Sequence, residues 1–354
     1  MLKATICGAA ILLALALMDV SGARLYHGMA APALAASRTP APVYDVAWSP
    51  SGTQIAWDDR RHFWVANANG SHAHVFARPA DRDCCGSLWW PRPKVLVYED
   101  DFRVFRVTTG GHTSAPVSVL GGFLWVDRHG TVGATESPRG PSALQLVGLR
   151  VPPWTRGVKR GGRPVLDLNP TFSPNGREVA FARFFCQSED GDCSEAGIWK
   201  ADVRTGETTQ LLSEGTCPSW SPDGKQLLFV DASGAFRIVT FGSEQTTLLL
   251  ENVVGSQPYE GPCALAGIAP LWSSDSRYIA FLSGTHDLAL KVLLVSDPTR
   301  VRSFSQLGKM DHYAWSPTSD TLLAIGMSSG SRRFCSLWSI DAETGKTRAL
   351  KRCR

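Results

Sequence analysis

Beyond its first two dozen residues the chain lacks helical periodicity of useful length, which excludes a helical bundle and leaves strands to supply the fold. Cys-x-x-Cys does not occur and the 8 histidines are scattered, so the ligand spacing of a zinc site is missing. Neither a phosphate-cradling glycine loop nor a His-Glu-x-x-His pair is present, which removes common signatures of nucleotide and metallopeptidase sites. Long apolar runs are scarce. The stretch from Ala4 to Met18 falls short of the roughly 20 residues that cross a bilayer. Charge of one sign is not in excess: 36 Lys and Arg against 32 Asp and Glu give a formal net charge of +4. A basic stretch, Arg150 to Arg163, is too unspecific to argue for a nucleic-acid partner.

What is abundant is one phrase, Trp-Ser-Pro followed by a small polar residue and usually glycine. It returns as AWSPSGTQIAW from Ala47, TFSPNGREVAF from Thr171, SWSPDGKQLLF from Ser219, LWSSDSRYIAF from Leu271 and AWSPTSDTLLA from Ala314. In each copy the aromatic ends a short strand, the Ser-Pro-x-Gly segment carries hairpin-turn chemistry, and the apolar run is the next strand. Between the anchors Trp48 and Phe172 there is space for two decayed copies. Trp90 anchors one, where the turn has become Pro91-Arg92-Pro93-Lys94, and Trp125 anchors the other. The anchors Trp48, Trp90, Trp125, Phe172, Trp220, Trp272 and Trp315 then stand 42, 35, 47, 48, 52 and 43 residues apart, the length of a four-stranded propeller blade. The expectation is an all-β propeller of seven blades, the third the weakest, with six as the alternative. Each sheet would have an unsatisfied apolar face alone, and stacking in a ring buries it.

These residues, WSPDGKQLLF above all, resemble the PD40 or WD40-like repeats of TolB-like β-propellers, over about Tyr44 to Leu350. The resemblance implies a propeller, with two departures. The propeller of that family has six blades and follows an α/β domain for which this chain leaves no room. The single Trp-Asp pair, Trp57-Asp58, lacks the Gly-His partner of ordinary WD40 repeats. What is implied is the fold, not membership of the Tol-Pal system.

Residues 1–23 combine Lys3, an apolar stretch and Ser21-Gly22-Ala23, which reads as a cleaved signal peptide. Residues 24–42 form an Ala/Pro-rich linker containing a second cleavage candidate, Ala33-Leu34-Ala35, and residues 43–354 the propeller. The protein is therefore expected in the periplasm or outside the cell, held at the membrane only if the N-terminal segment stays uncleaved. Of the 9 cysteines, Cys7 leaves with the signal, and the even remainder suits an oxidising compartment. Cys186 and Cys193 flank one loop of blade four. Cys217 and Cys263 lie where the chain enters blades five and six, and Cys84 and Cys85 are left as a vicinal pair. In the last blade, pairing Ile340 with Lys346 across Asp341 to Gly345 and carrying the register outward, with a shift of a residue or two at a bulge, sets Cys335 opposite Cys353.

The candidate sites are of two kinds. Loops between the second and third strands of the blades carry Asp58, Asp59, Glu99, Asp100, Asp101, Glu189, Asp190, Asp192, Asp231 and Asp287. These loops emerge on one end of the ring, as an acidic rim for a cation such as Ca²⁺ or a basic partner; aspartate is equally a turn former. Three residues before their anchors, Asp45, Asn169 and His312 approach the channel, where they hold a water or ion or satisfy backbone groups. Gly326-Met327-Ser328-Ser329-Gly330 matches the serine-hydrolase pattern but falls in a hairpin rather than a strand-to-helix elbow. The expected function is an exported, non-enzymatic propeller that binds a protein, peptide or envelope component through loops at one end, with no cofactor beyond a possible Ca²⁺. The alternative is a small propeller enzyme of the lactonase or glutaminyl-cyclase type with an ion at the channel mouth.

Overall fold

The computed structural model describes residues 42–59, 61–77, 88–100, 103–108, 117–118, 124–126, 132–135, 144–147, 165–187, 193–243, 245–251, 253, 270–284, 288–327 and 334–352. Consecutive antiparallel strands form sheet after sheet along the chain. The first holds β1 (Asp45–Trp48), β2 (Gln54–Asp58), β3 (Phe63–Asn67) and β4 (His74–Ala77). The second holds β5 (Leu88–Arg92), β6 (Val95–Asp100), β7 (Arg103–Thr108) and β8 (Val117–Ser118). A three-stranded sheet follows, of β9 (Leu124–Val126), β10 (Val132–Thr135) and β11 (Leu144–Val147). The fourth has β12 (Val165–Phe172), β13 (Glu178–Cys186), β14 (Cys193–Asp202) and β15 (Thr208–Leu212). The fifth has β16 (Thr216–Trp220), β17 (Gln226–Val230), β18 (Phe236–Thr240) and β19 (Gln245–Leu250). The sixth has β20 (Leu271–Trp272), β21 (Tyr278–Ser283), β22 (Ala289–Leu294) and β23 (Asp297–Ser303). The last has β24 (Met310–Trp315), β25 (Thr321–Met327), β26 (Phe334–Asp341) and β27 (Thr347–Lys351). Six of these sheets are four-stranded, and the architecture is that of a β-propeller.

The repeated phrase works as local chemistry. In the turn between β16 and β17 the Ser221 hydroxyl donates to the Asp223 carboxylate at 2.7 Å and accepts the Gln226 N–H at 2.9 Å, while the Gly224 N–H reaches the Ser221 carbonyl. Ser173 does the same with Asn175 and Glu178, and Ser273 with Asp275 and Tyr278. These serines are buried, so the hydroxyl replaces water for groups that the tight turn removes from solvent. Gly224 supplies the positive φ of 73° that the turn needs; in the sixth sheet Ser276 takes that position at φ 64°.

The anchor aromatic joins neighbouring sheets. The indole N–H of Trp272 donates to the Ser219 carbonyl of the preceding sheet at 3.0 Å, and that of Trp315 to the Leu271 carbonyl at 2.9 Å. Trp48 closes the series by donating to the Ala314 carbonyl of the last sheet at 3.1 Å. In each case the acceptor is the residue just before the neighbour's own anchor, so one contact is copied from sheet to sheet.

Second strands such as Leu227–Val230 and Ile55–Asp58 are buried on both faces because a sheet stands on either side. Outer strands such as β19 are largely exposed. Leu228, Phe236 and Ile238 of the fifth sheet pack against Ile279, Phe281 and Leu293 of the sixth. At the seam between the ends of the chain, Val46, Trp48 and Ile55 pack against Leu323, Ile325 and Leu337. The Val43 N–H also donates to the Phe334 carbonyl at 2.9 Å. Among the described residues the seam thus closes by face packing, with no strand exchanged.

Two local expectations change. The hairpin at Trp90 turns later than Pro91, because β5 runs through the proline at a register shift and Arg92 pairs with Val95. Proline has no N–H to offer the ladder, so a bulge tolerates it. Glu99 and Asp100 belong to β6 rather than to the loop, facing Val104 and Arg103 across the ladder. Among the described residues no helix is long and apolar enough to cross a membrane.

Candidate functional site

The acidic residues that can be followed turn inward. Asp59 caps its own loop: one oxygen accepts the Arg61 and His62 N–H groups at 2.9 and 2.7 Å, the other the Trp64 indole at 2.6 Å. Asp231 accepts the Ser233 and Ala235 N–H groups, the Ser233 hydroxyl and the Arg237 guanidinium. Burial alone would raise its carboxyl, but the Arg237 and Ser233 bonds outweigh that and hold it at about 2. Asp58 is buried within β2 and stands opposite Asp45 in the ladder. Asp101, Glu189, Asp190, Asp192 and Asp287 lie outside the described residues, as does Ser328. Among the described residues no three His, Cys, Asp or Glu side chains are grouped to hold a metal ion.

Of the channel candidates, Asp45 and His312 come together at the seam. The Asp45 carboxylate accepts the Val46 N–H at 2.6 Å and the Leu88 N–H of the second sheet at 2.5 Å. Its carboxyl is pushed up to about 6 by burial, against the pull of His312 and the two amides, with Asp58 adding to the rise. One side chain therefore touches the second sheet by hydrogen bond and the last sheet by charge. Asn169 sits apart, on the first strand of the fourth sheet. It has φ 51°, and Cys217 in the fifth has φ 55°, each beside a register shift and before a proline. The prolines Pro170 and Pro218 lie two residues before their anchors, a signal in the sequence for this bulged first strand.

Sequence reasoning missed a buried pair in the fourth sheet. Arg183 Nε and Nη2 donate to the two oxygens of Asp167 at 2.7 and 2.9 Å, and both side chains are almost fully buried. The guanidinium also lies 5.0 Å from the ring centres of Phe181 and Trp199. The signal was a lone charge inside the apolar run of Glu178 to Cys186.

The same β13–β14 hairpin is longer than its counterparts, with 9 and 10 residues against 5 and 5 in β17 and β18. Cys186 and Cys193 face each other at its end and form a disulfide. Cys217 and Cys335 are disulfide-bonded too. Cys84, Cys85, Cys263 and Cys353 lie outside them.

A cavity of about 270 Å³ opens at the seam between the first and last sheets. Trp57 and Trp64 of the first sheet, parallel to within 3° at 5.9 Å, form one wall. Leu337 and Leu350 of the last form the other, and Asp59 and Lys351 are its charged residues.

No family model matches the chain, and no curated protein does. Solved structures do. The β-propeller domain of Cps50 (Swd1) from Myceliophteria thermophila matches with a TM-score of 0.57 at 13% identity, over 80% of this chain and 93% of that one. A puromycin-hydrolysing peptidase of Mycobacterium tuberculosis matches with a TM-score of 0.56 at 15% identity, over 91% of this chain but 55% of the peptidase. A TolB-type protein of Agrobacterium tumefaciens gives 0.44 at 15% identity, over 79% of this chain and 84% of that one. At these identities the likeness is one of fold, and the fold it shows is the β-propeller.

Proposed function

We propose that the chain is an exported, seven-bladed propeller that binds a protein or peptide partner through the loops at one end of its ring, without catalysing a reaction. The three-stranded sheet of β9 to β11 stands for the third blade. The observation that carries the binding reading is preorganisation of the connections between second and third strands, which share one end of such a ring. The β2–β3 and β17–β18 loops are tied down by Asp59 and Asp231, and the long β13–β14 hairpin is clamped by Cys186–Cys193. A loop ordered before contact loses less entropy on binding. The disulfide bonds at Cys186, Cys193, Cys217 and Cys335 support export to an oxidising compartment.

The enzymatic alternative calls for carboxylates free to hold an ion or proton at the channel mouth. Asp45 is committed to two backbone amides, and Asp59 and Asp231 to their own loops. No cofactor is part of the proposal.

The test is affinity capture from the native host with the mature protein and a Cys186→Ala/Cys193→Ala variant that retains its far-UV circular dichroism. A specific partner recovered at least about tenfold better by the parent is expected. Equal recovery by both, or hydrolysis of a lactone or cyclisation of an N-terminal glutamine by the purified protein, would sink the proposal.

A further inference from the structure

The seam cavity has a composition that the loops do not share. Its walls are mainly apolar, with the Trp57 and Trp64 rings on one side and Leu337 and Leu350 on the other. The shape is held from both sides. Gly70, at φ 80°, lets its turn close on β27 so tightly that a Cβ there would stand 3.3 Å from the Leu350 side chain. Trp64 is fixed by its indole bond to Asp59.

The two charged residues are not equivalent. Asp59 already accepts three hydrogen bonds, two from its own loop and one from the Trp64 indole, so its oxygens have little capacity left for a ligand. Lys351 has its ammonium disfavoured by burial and supported by the Asp59 charge. A second anion placed beside that ammonium, in a largely apolar surround, gains more than it would in water. A second cation would meet a like charge at Lys351 and find Asp59 engaged.

We propose that this cavity binds a small organic acid with one flat apolar body, the body lying against Trp57 and Trp64 and the carboxylate meeting Lys351. A volume of about 270 Å³ is near the lower end of ligand sites, which sets the size at one aromatic or fused-ring unit rather than a peptide. This site differs from the loop surface proposed above, and either can hold without the other.

The test uses indole-3-acetate, its amine counterpart tryptamine and uncharged indole, titrated calorimetrically into the full mature protein. For a ligand of this size a Kd on the order of 0.1 mM is expected for the acid. The amine should bind at least about tenfold more weakly, which is about 1.4 kcal/mol. Lys351→Met, which keeps the apolar stem, should weaken the acid about tenfold and leave indole unchanged. Ala73→Phe, which fills the cavity mouth, should abolish binding of all three. If either variant fails to fold, the parent alone decides: the acid should raise its Tm and tryptamine should not. Equal binding of acid and amine, an unchanged Kd in Lys351→Met, or no binding of the acid at millimolar concentration overturns the assignment.

Discussion

Replacing Trp272 by phenylalanine keeps an aromatic ring at the joint between the fifth and sixth sheets but deletes the donor to the Ser219 carbonyl. Two losses add. Phenylalanine buries about 40 Å² less apolar surface, worth about 1 kcal/mol at 25 cal/mol per Å². The missing hydrogen bond contributes another ~1 kcal/mol net. The substitution should therefore cost about 2 kcal/mol. Trp220 is the internal control. Its indole nitrogen is buried without a hydrogen-bond partner, and the copied contact, here to the carbonyl of Thr171, is not made. Trp220→Phe loses the same area but removes an unpaired donor whose burial costs about 1–3 kcal/mol, so it should be neutral or stabilising. Its stacking on Phe241, with centroids 4.9 Å apart, suits a phenyl ring as well. Urea unfolding of both variants, read as the shift in midpoint at unchanged m, measures the contrast. If Trp220→Phe proves as costly as Trp272→Phe, the indole bonds contribute nothing and area alone explains the anchors.

Further outcomes follow from other contacts. Because burial lifts Asp45 from 3.8 to about 6, its contribution to stability is complete below pH 3.8 and is lost as pH rises through 6; the parent should lose roughly 3 kcal/mol relative to Asp45→Asn between pH 3.5 and 7.5. Parallel curves for the two proteins in urea unfolding across that range would refute it. Single substitutions Asp167→Leu and Arg183→Met should each cost about 3–5 kcal/mol, and the double variant clearly less than their sum, as a double-mutant cycle in denaturant would show. Additivity would mean the pair is not coupled. Ser276→Gly should stabilise by about 1 kcal/mol by relieving a left-handed backbone, measured as a rise in Tm. In the last sheet Leu337 faces Lys351 beyond a bulge, and the same register two residues outward sets Cys335 opposite position 353. Peptide mapping without reductant should find Cys335 linked to Cys353, and removing both should cost about 3 kcal/mol; free thiols at the two positions would count against the register.

The strands were legible wherever the turn chemistry is local. Gln226–Val230 falls where QLLFV was expected, because Ser221, Asp223 and Gly224 set that turn without help from the rest of the chain. The three-stranded sheet of β9 to β11 was legible only as an anchor and a spacing. The acidic loops were visible as composition, yet whether a carboxylate faces water or folds back on amides two to four residues ahead, as Asp59 and Asp231 do, depends on loop geometry that periodicity does not encode. Arg183 with Asp167 and the seam cavity were illegible for a different reason. The pair needs residues 16 positions apart on two strands to be placed in register, and the cavity needs the first and last sheets to meet.

Because every described sheet is completed by its own consecutive strands, the interface between first and last sheets is built like those joining the fifth, sixth and last sheets, from one face cluster and one indole bond. Which blade comes first in the gene then makes no difference to the assembled ring. A circular permutant opened between the fourth and fifth sheets, with a linker bridging the present ends, should close the same circle. By the same logic the ring can gain or lose a whole blade by duplication or deletion at any junction, without rewiring the remainder. Such a scaffold changes its diameter in steps of one repeat, and related chains can differ in blade number while keeping the same phrase in every turn.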